Sequence, residues 1–194
     1  MKKIFLSISI VVAATVVMAS CGNKNANKSG SAAGGSKTEA VIPDGFRTHE
    51  FTNFSISVPE EFSGSEIITD VVRFSSEARL TLDNGDEVCS SAIIDCSFMT
   101  GGATPSRIKE TASTIKYSQE ATGETCEEPV IEGNTILMRH YSERDGGSYK
   151  YITWRWWIVS KDGKNIAGNI SYPDTQAKYY DPIVKAIVKS IKIK

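Results

Sequence analysis

Tyr149-Lys150-Tyr151-Ile152-Thr153-Trp154-Arg155-Trp156-Trp157-Ile158-Val159 is the run whose reading decides the fold. It is dominated by aromatic and β-branched residues, the types that suit a pleated surface. Successive side chains of a strand point to opposite faces. Ile152, Trp154, Trp156 and Ile158 therefore share one face, while Tyr149, Tyr151, Thr153, Arg155, Trp157 and Val159 share the other. Both faces carry aromatic rings, which leaves two readings. Either the strand is central and covered on both sides, or Tyr151, Arg155 and Trp157 form a rigid contact patch, since Tyr, Trp and Arg dominate interface hot spots.

Strand signals continue on either side. Residues 135–143, 148–160 and 165–172 each read as a long strand. Asp145-Gly146-Gly147 and Lys161-Asp162-Gly163-Lys164 supply the tight turns between them, so the three strands form an antiparallel meander. Upstream, Phe54-Ser55-Ile56-Ser57-Val58 alternates apolar and polar before Pro59 and predicts a half-buried strand. Residues 66–74 and 78–82 predict two more. Asp83-Asn84-Gly85-Asp86 is a hairpin turn, with residues 88–99 as the return strand.

Two helices are expected. The first opens at Thr104 as N-cap with Pro105 at the first helical position. It runs to about Gln119, with Ile108, Ala112, Ile115 and Gln119 in one stripe. The second runs from about Asp174 to Ser190, with Tyr179, Ile183, Ile187 and Ser190 in a stripe. Pro182 should interrupt it, and Asp181 should cap a restarted half. Ile191-Lys192-Ile193-Lys194 alternates as a short final strand. The fold class is α+β, an antiparallel meander with two helices packed on it.

This body spans residues 43–194; what precedes it reads as an address. Lys2 and Lys3 precede an apolar stretch over residues 4–17 and a small-residue end at Met18-Ala19-Ser20, the order of a secretory signal peptide over residues 1–20. Val17-Met18-Ala19-Ser20-Cys21 resembles the bacterial lipobox, which implies lipidation of Cys21 and stable anchoring by two or three acyl chains. Residues 21–42 are polar and small, without aromatics, and read as a flexible tether. About twenty residues of such coil span roughly 25 Å. Gly22 rather than an acid follows Cys21, and residues 22–28 hold no acidic cluster. By resemblance to sorted lipoproteins, that implies an outer-membrane anchor facing the periplasm of a Gram-negative bacterium.

The chain has 194 residues, with 22 Lys+Arg against 23 Asp+Glu and a net charge of −1. Residues 43–194 hold 17 basic and 22 acidic side chains. That balance argues against a nucleic-acid partner, which demands a basic face.

Phe54-Ser55-Ile56-Ser57-Val58-Pro59-Glu60-Glu61-Phe62 resembles the F-x-I-x-x-P-x-x-[FW] opening of PsbP-like domains. These include the extrinsic photosystem subunit and a Ran-binding nuclear import factor of the same fold. The close is similar too: a strand ending at Tyr172-Pro173, a helix with Tyr179-Tyr180 and Ile183-Val184, then Val188-Lys189-Ser190-Ile191. The resemblance implies an α/β sandwich whose members are mainly binding or assembly factors without catalytic residues. No position matches the photosystem protein's metal or partner sites.

The residues themselves point to little chemistry. Beyond Cys21 there are Cys89, Cys96 and Cys126, and an oxidising compartment favours a disulfide joining Cys126 to Cys89 or Cys96. On one straight strand Cys89 and Cys96 would lie about 23 Å apart, far beyond the roughly 7 Å between Cα atoms that a bridge needs. No Cys-x-x-Cys or paired-His spacing suggests a metal, and no cofactor motif is present. His49 and His140 are the two histidines. A Cys126/His140 pairing lacks any flanking catalytic motif, so both histidines are expected to be structural or surface groups. Glu124, Glu127, Glu128 and Glu132 read as a solvated loop, and Gly101-Gly102 as a simple turn. The sequence thus predicts a non-catalytic, lipid-anchored envelope protein that binds another protein as an assembly or accessory factor. Its alternative is a small-molecule or glycan-binding lipoprotein using aromatics beside residues 120–132.

Overall fold

The structure, a computed structural model, describes residues 43–144 and 149–194. The signal peptide, Cys21, the tether and the 145–147 turn lie outside the described residues. In chain order the elements are β1 (Phe46–Glu50), β2 (Phe54–Pro59), β3 (Phe62–Ile68), β4 (Val71–Ser76), β5 (Arg79–Thr81), β6 (Glu87–Cys89) and β7 (Ile93–Thr100). There follow α1 (Ile108–Glu120), β8 (Thr125–Cys126), β9 (Val130–Glu132), β10 (Thr135–Arg144), β11 (Tyr149–Ile158), β12 (Lys164–Pro173), α2 (Ala177–Ser190) and β13 (Lys192–Ile193).

The expected meander is the heart of the main sheet, which runs β3-β4-β7-β12-β11-β10-β8 with β9 also paired to β10. Every pairing in it is antiparallel. A smaller sheet, β1-β2-β13, and the hairpin β5-β6 complete the strands. Asn84-Gly85 does turn that hairpin, with Gly85 at φ 88°. The final strand that the alternation suggested is present, and it pairs with β2. The result is an α+β sandwich.

The two faces of the main sheet differ. On the inner face, Val72, Phe74, Ile94, Ile152, Trp156, Ile166, Ile170 and Tyr172 pack with Tyr180, Val184 and Ile187 of α2 and with Phe54, Ile56 and Val58 of β2. Trp156 is fully buried there. Its register partner across the ladder is Gly168. A Cβ at Gly168 would fall 2.5 Å from the indole ring and 2.7 Å from the Asp95 carbonyl oxygen, so only glycine leaves room for this ring. On the outer face, α1 packs against β8 and β10. Its least exposed positions include Ile108, Ala112, Ile115 and Gln119, the stripe the sequence predicted.

Several expectations need correction. Residues 66–74 are not one strand: the chain reverses between β3 and β4 at Thr69-Asp70. Asp70 takes the left-handed conformation at φ 58°, and its carboxylate accepts from the Asn53 amide N–H at 2.9 Å and from the Asn53 side chain. Asp tolerates this conformation better than most residues, so no glycine marks the turn. Residues 88–99 are likewise broken at 90–92. There the side chain of Gln176, the residue before α2, accepts from the Ser91 N–H at 3.3 Å and donates to the Cys89 carbonyl at 3.4 Å. Strand β2 is buried on both faces: the Ser57 hydroxyl pairs with the Thr48 hydroxyl at 2.8 Å, while the Ser57 backbone N–H donates to the Ser190 hydroxyl and its carbonyl accepts from it.

In α2 Ile187 and Ser190 of the predicted stripe are buried and Ile183 is partly buried against the core, but Tyr180 rather than Tyr179 is buried, with Val184 and Val188; Tyr179 is exposed and donates to Glu61 at 3.0 Å. Pro182 sits inside a continuous helix. Asp181 caps nothing. Its carboxylate accepts from Trp154 Nε1 at 2.7 Å, Tyr172 OH at 2.5 Å and Arg139 Nη2 at 3.0 Å, pinning the helix to the sheet.

The expected disulfide is not formed; Cys89, Cys96 and Cys126 are free thiols. Strands β12, β11 and β10 lie between Cys96 and Cys126, a separation of about 19 Å at the usual strand spacing. Cys89 lies apart from both on the β5-β6 hairpin. Burial pushes the Cys96 thiol up to about 12.

The Trp156–Gly168 contact sets a sharp test. Gly168→Ala should cost about 1–3 kcal/mol through overpacking. Urea unfolding should show a lower midpoint with an unchanged slope.

Candidate functional site

The outer face is the place to look for function, because among the described residues α1 leaves much of it bare. Register aligns Arg155 with Met138 on β10 and with Asn169 on β12, and Asn169 with Asp95 on β7. Asp95 in turn aligns with Arg73 on β4. One row of side chains thus crosses five strands on one face. Arg155, Trp157, Asn169, Asp95, Arg73 and Ile67 border a groove of about 230 Å³ there.

Of the patch read from sequence, Arg155 and Trp157 both line this groove. Tyr151 is half-buried on the same face but does not line it. Arg73, Asp95 and Asn169 were missed. Their only signal was parity on their own strands, and parity shows a face only once the pairing is known.

Arg155 is held from behind. Its Nε–H donates to His140 Nε2 at 3.2 Å. His140 is 2% exposed, and its Nδ1 pairs with the Glu124 carboxylate. An imidazole that accepts at Nε2 carries its proton at Nδ1, so Glu124, His140 and Arg155 form a directional relay. Burial holds the His140 pKa below its ordinary value; Arg155 pushes the same way, while Glu124 opposes them. Burial also lowers the Arg155 pKa, with Glu124 and Cys126 acting against it.

This geometry also decides the Cys126/His140 pairing. The two residues are register neighbours on β8 and β10. Yet the only imidazole nitrogen able to accept a thiol proton is taken by Arg155. Burial, then Glu120 and Glu124, raise the Cys126 pKa, which disfavours a thiolate nucleophile. Among the described residues no three His, Cys, Asp or Glu side chains gather as a metal site.

The acidic run is solvated as expected at Glu127, Glu128 and Glu132, which are exposed, but it is not all loop. Residues 125–126 and 130–132 are edge strands on β10. Each glutamate meets a basic partner: Glu124 His140, Glu127 Arg139 at 2.9 Å, Glu128 Lys116, and Glu132 Lys185 at 3.0 Å.

Comparison with known proteins places the fold. The Saccharomyces cerevisiae Ran-binding protein Mog1p is similar at TM-score 0.56 and 12% identity, covering 76% of this chain and 95% of that one. A mutant Mog1 protein gives 0.55 and 10% identity over the same shares. This chain has the Mog1 fold. The cyanobacterial PsbP of Synechocystis aligns over 84% of this chain and 98% of that one at 11% identity, but its TM-score is 0.39. The fold argument therefore rests on Mog1. No family model matches the sequence, and no curated protein matches it.

The relay carries a pH signature. The folded-state pKa of His140 lies below the unfolded value of about 6.5, so below that pH the unfolded chain binds the proton more readily. Its stabilising contribution is complete above about pH 6.5 and is lost as pH falls towards the folded value. His49, lowered by burial and Arg47, acts in the same direction. The melting temperature of the full-length protein should fall between pH 7.5 and pH 5, and His140→Gln should flatten part of that slope. An unchanged slope in the variant would assign the dependence elsewhere.

Proposed function

We propose that this protein is a lipid-anchored cell-envelope factor that docks another protein on the outer face of its main sheet and carries out no chemistry of its own. The observation that carries the reading is the partly bare outer face on which Arg155 and Trp157 border one groove. Arg and Trp on a rigid central strand make strong anchors, since little side-chain freedom is lost on contact. The similar Mog1p is a Ran-binding protein, a precedent for partner binding on this fold. The blocked imidazole and the disfavoured Cys126 thiolate support the non-catalytic part.

A small-molecule or glycan site beside residues 120–132 is less well supported, because that segment is tied to β10 and its glutamates are paired. The anchor, and an outer-membrane position facing the periplasm, rest on the signal peptide, the lipobox at Cys21 and the tether.

Two outcomes test this. Affinity capture of the full-length protein after in-cell crosslinking should recover a stoichiometric partner, and Trp157→Ala should reduce its recovery about tenfold or more. Equal recovery would remove Trp157 from the interface. Metabolic labelling with an alkyne fatty acid should tag the wild type and leave Cys21→Ser unlabelled. A labelled Cys21→Ser protein would move the acylation to another residue.

A further inference from the structure

We propose that the groove beside Arg155 and Trp157 is a carboxylate-binding site, filled by an acidic side chain or a chain terminus of the docked protein. The inference rests on the docking reading and names the chemistry of what docks.

Arg155 is set apart by its missing counter-ion. Arg139, also well withdrawn from water, meets Glu127 at 2.9 Å and Asp181 at 3.0 Å. Arg73 is held by both oxygens of Asp95, at 2.7 and 3.1 Å. Arg155 is half-buried, and among the described residues no carboxylate lies within 4.0 Å of it. Its one described hydrogen bond runs from Nε to a neutral imidazole. Glu124 sits beyond that imidazole and meets His140, not the guanidinium. The two Nη groups make no hydrogen bond among the described residues. A desolvated guanidinium with a free donor fork is matched by a carboxylate, which takes both donors at once.

The surroundings narrow the ligand further. Charged groups bordering the groove are Arg155, Arg73 and Asp95, so its net charge is that of a single cation. One negative charge complements it, and a doubly charged phosphate does not. The Asn169 side chain, at the register position facing Arg155, adds a polar neighbour. Trp157 and Ile67 give apolar walls for a short aliphatic stem. At about 230 Å³ the groove falls below the roughly 300–1,000 Å³ of drug-sized ligand pockets. That size suits one side chain of a docked protein better than a free metabolite. The relay from Glu124 through His140 fixes the guanidinium before the ligand arrives, so less order is imposed on binding.

The test is a titration of the full-length protein followed by the Arg155 Nε–H and Trp157 indole NMR signals. The probes are N-acetylglutamate N-methylamide for a side-chain carboxylate, N-acetyl-Ala-Ala for a chain terminus, the uncharged N-acetylglutamine N-methylamide, and inorganic phosphate. At least one carboxylate probe should give saturable shifts of both signals, and the stronger of the two identifies the source. Arg155→Gln should weaken that binding about tenfold or more. Arg155→Lys, which keeps the charge and loses the fork, should weaken it less. Equal shifts from the uncharged probe, or phosphate binding as tight as the carboxylate, would overturn the proposal even if the variants fail to fold.

Capture separates this idea from the docking reading. A partner lost from Trp157→Ala but retained by Arg155→Gln would overturn the carboxylate site and leave the docking face. A partner retained by both variants would overturn both.

Discussion

A short helix cannot cover a wide sheet, and that mismatch shapes the whole molecule. Helix α1 has 13 residues, which makes it about 20 Å long and about 10 Å across. The main sheet lies seven strands abreast, or about 29 Å wide at the usual spacing. The inner face is closed by α2 and the β1-β2-β13 sheet together. Among the described residues the outer face has α1 alone, over β8 and β10, and no helix covers the β4, β7 and β12 side of that face. A face left this way must be made polar, or must find a partner.

The residues on it divide between those two solutions. Arg73 and Asp95 neutralise each other, and Ser63, Ser65 and Ser75 are small and polar. Arg155 and Trp157 do not follow that pattern. One is a charge withdrawn from water with only a neutral acceptor, and the other is a large ring bordering a groove. The Glu124–His140–Arg155 relay explains how such an arginine is tolerated, since it supplies one hydrogen bond and a distant negative charge. It also occupies the imidazole nitrogen that would accept a proton. One set of contacts therefore bears on stability, on the availability of His140 and on what the face can bind.

How much of this was legible in the sequence follows from the range of the interactions. The 135–172 meander, the Asn84-Gly85 hairpin, the α1 stripe and the strand at Lys192–Ile193 are encoded by period and turn chemistry, so they were readable. The reversal at Asp70 was hidden because aspartate, held by Asn53, does what a glycine usually advertises. The break at residues 90–92 depends on Gln176, far away in sequence. In the α2 stripe Ile187 and Ser190 were legible but Tyr179 was taken for Tyr180, because the two are chemically alike and only contact with Glu61 or the core tells them apart. For the site, alternation put Arg155 and Trp157 on one face. Nothing local linked Arg155 to His140 or Glu124, because those links need the β10–β11 register and the edge pairing of β8. The short strands inside the glutamate run were hidden for the same reason.

The most direct measurement is site-specific photo-crosslinking in cells at two positions on opposite faces. Met99 is exposed on the outer face, in line with Asp95 and Ser97 along β7, and Lys189 is exposed on α2. A photoreactive residue at position 99 should yield a discrete adduct with another protein, and one at position 189 should yield none. An adduct from position 189 alone would contradict the account and place the working surface on the helix side of the molecule.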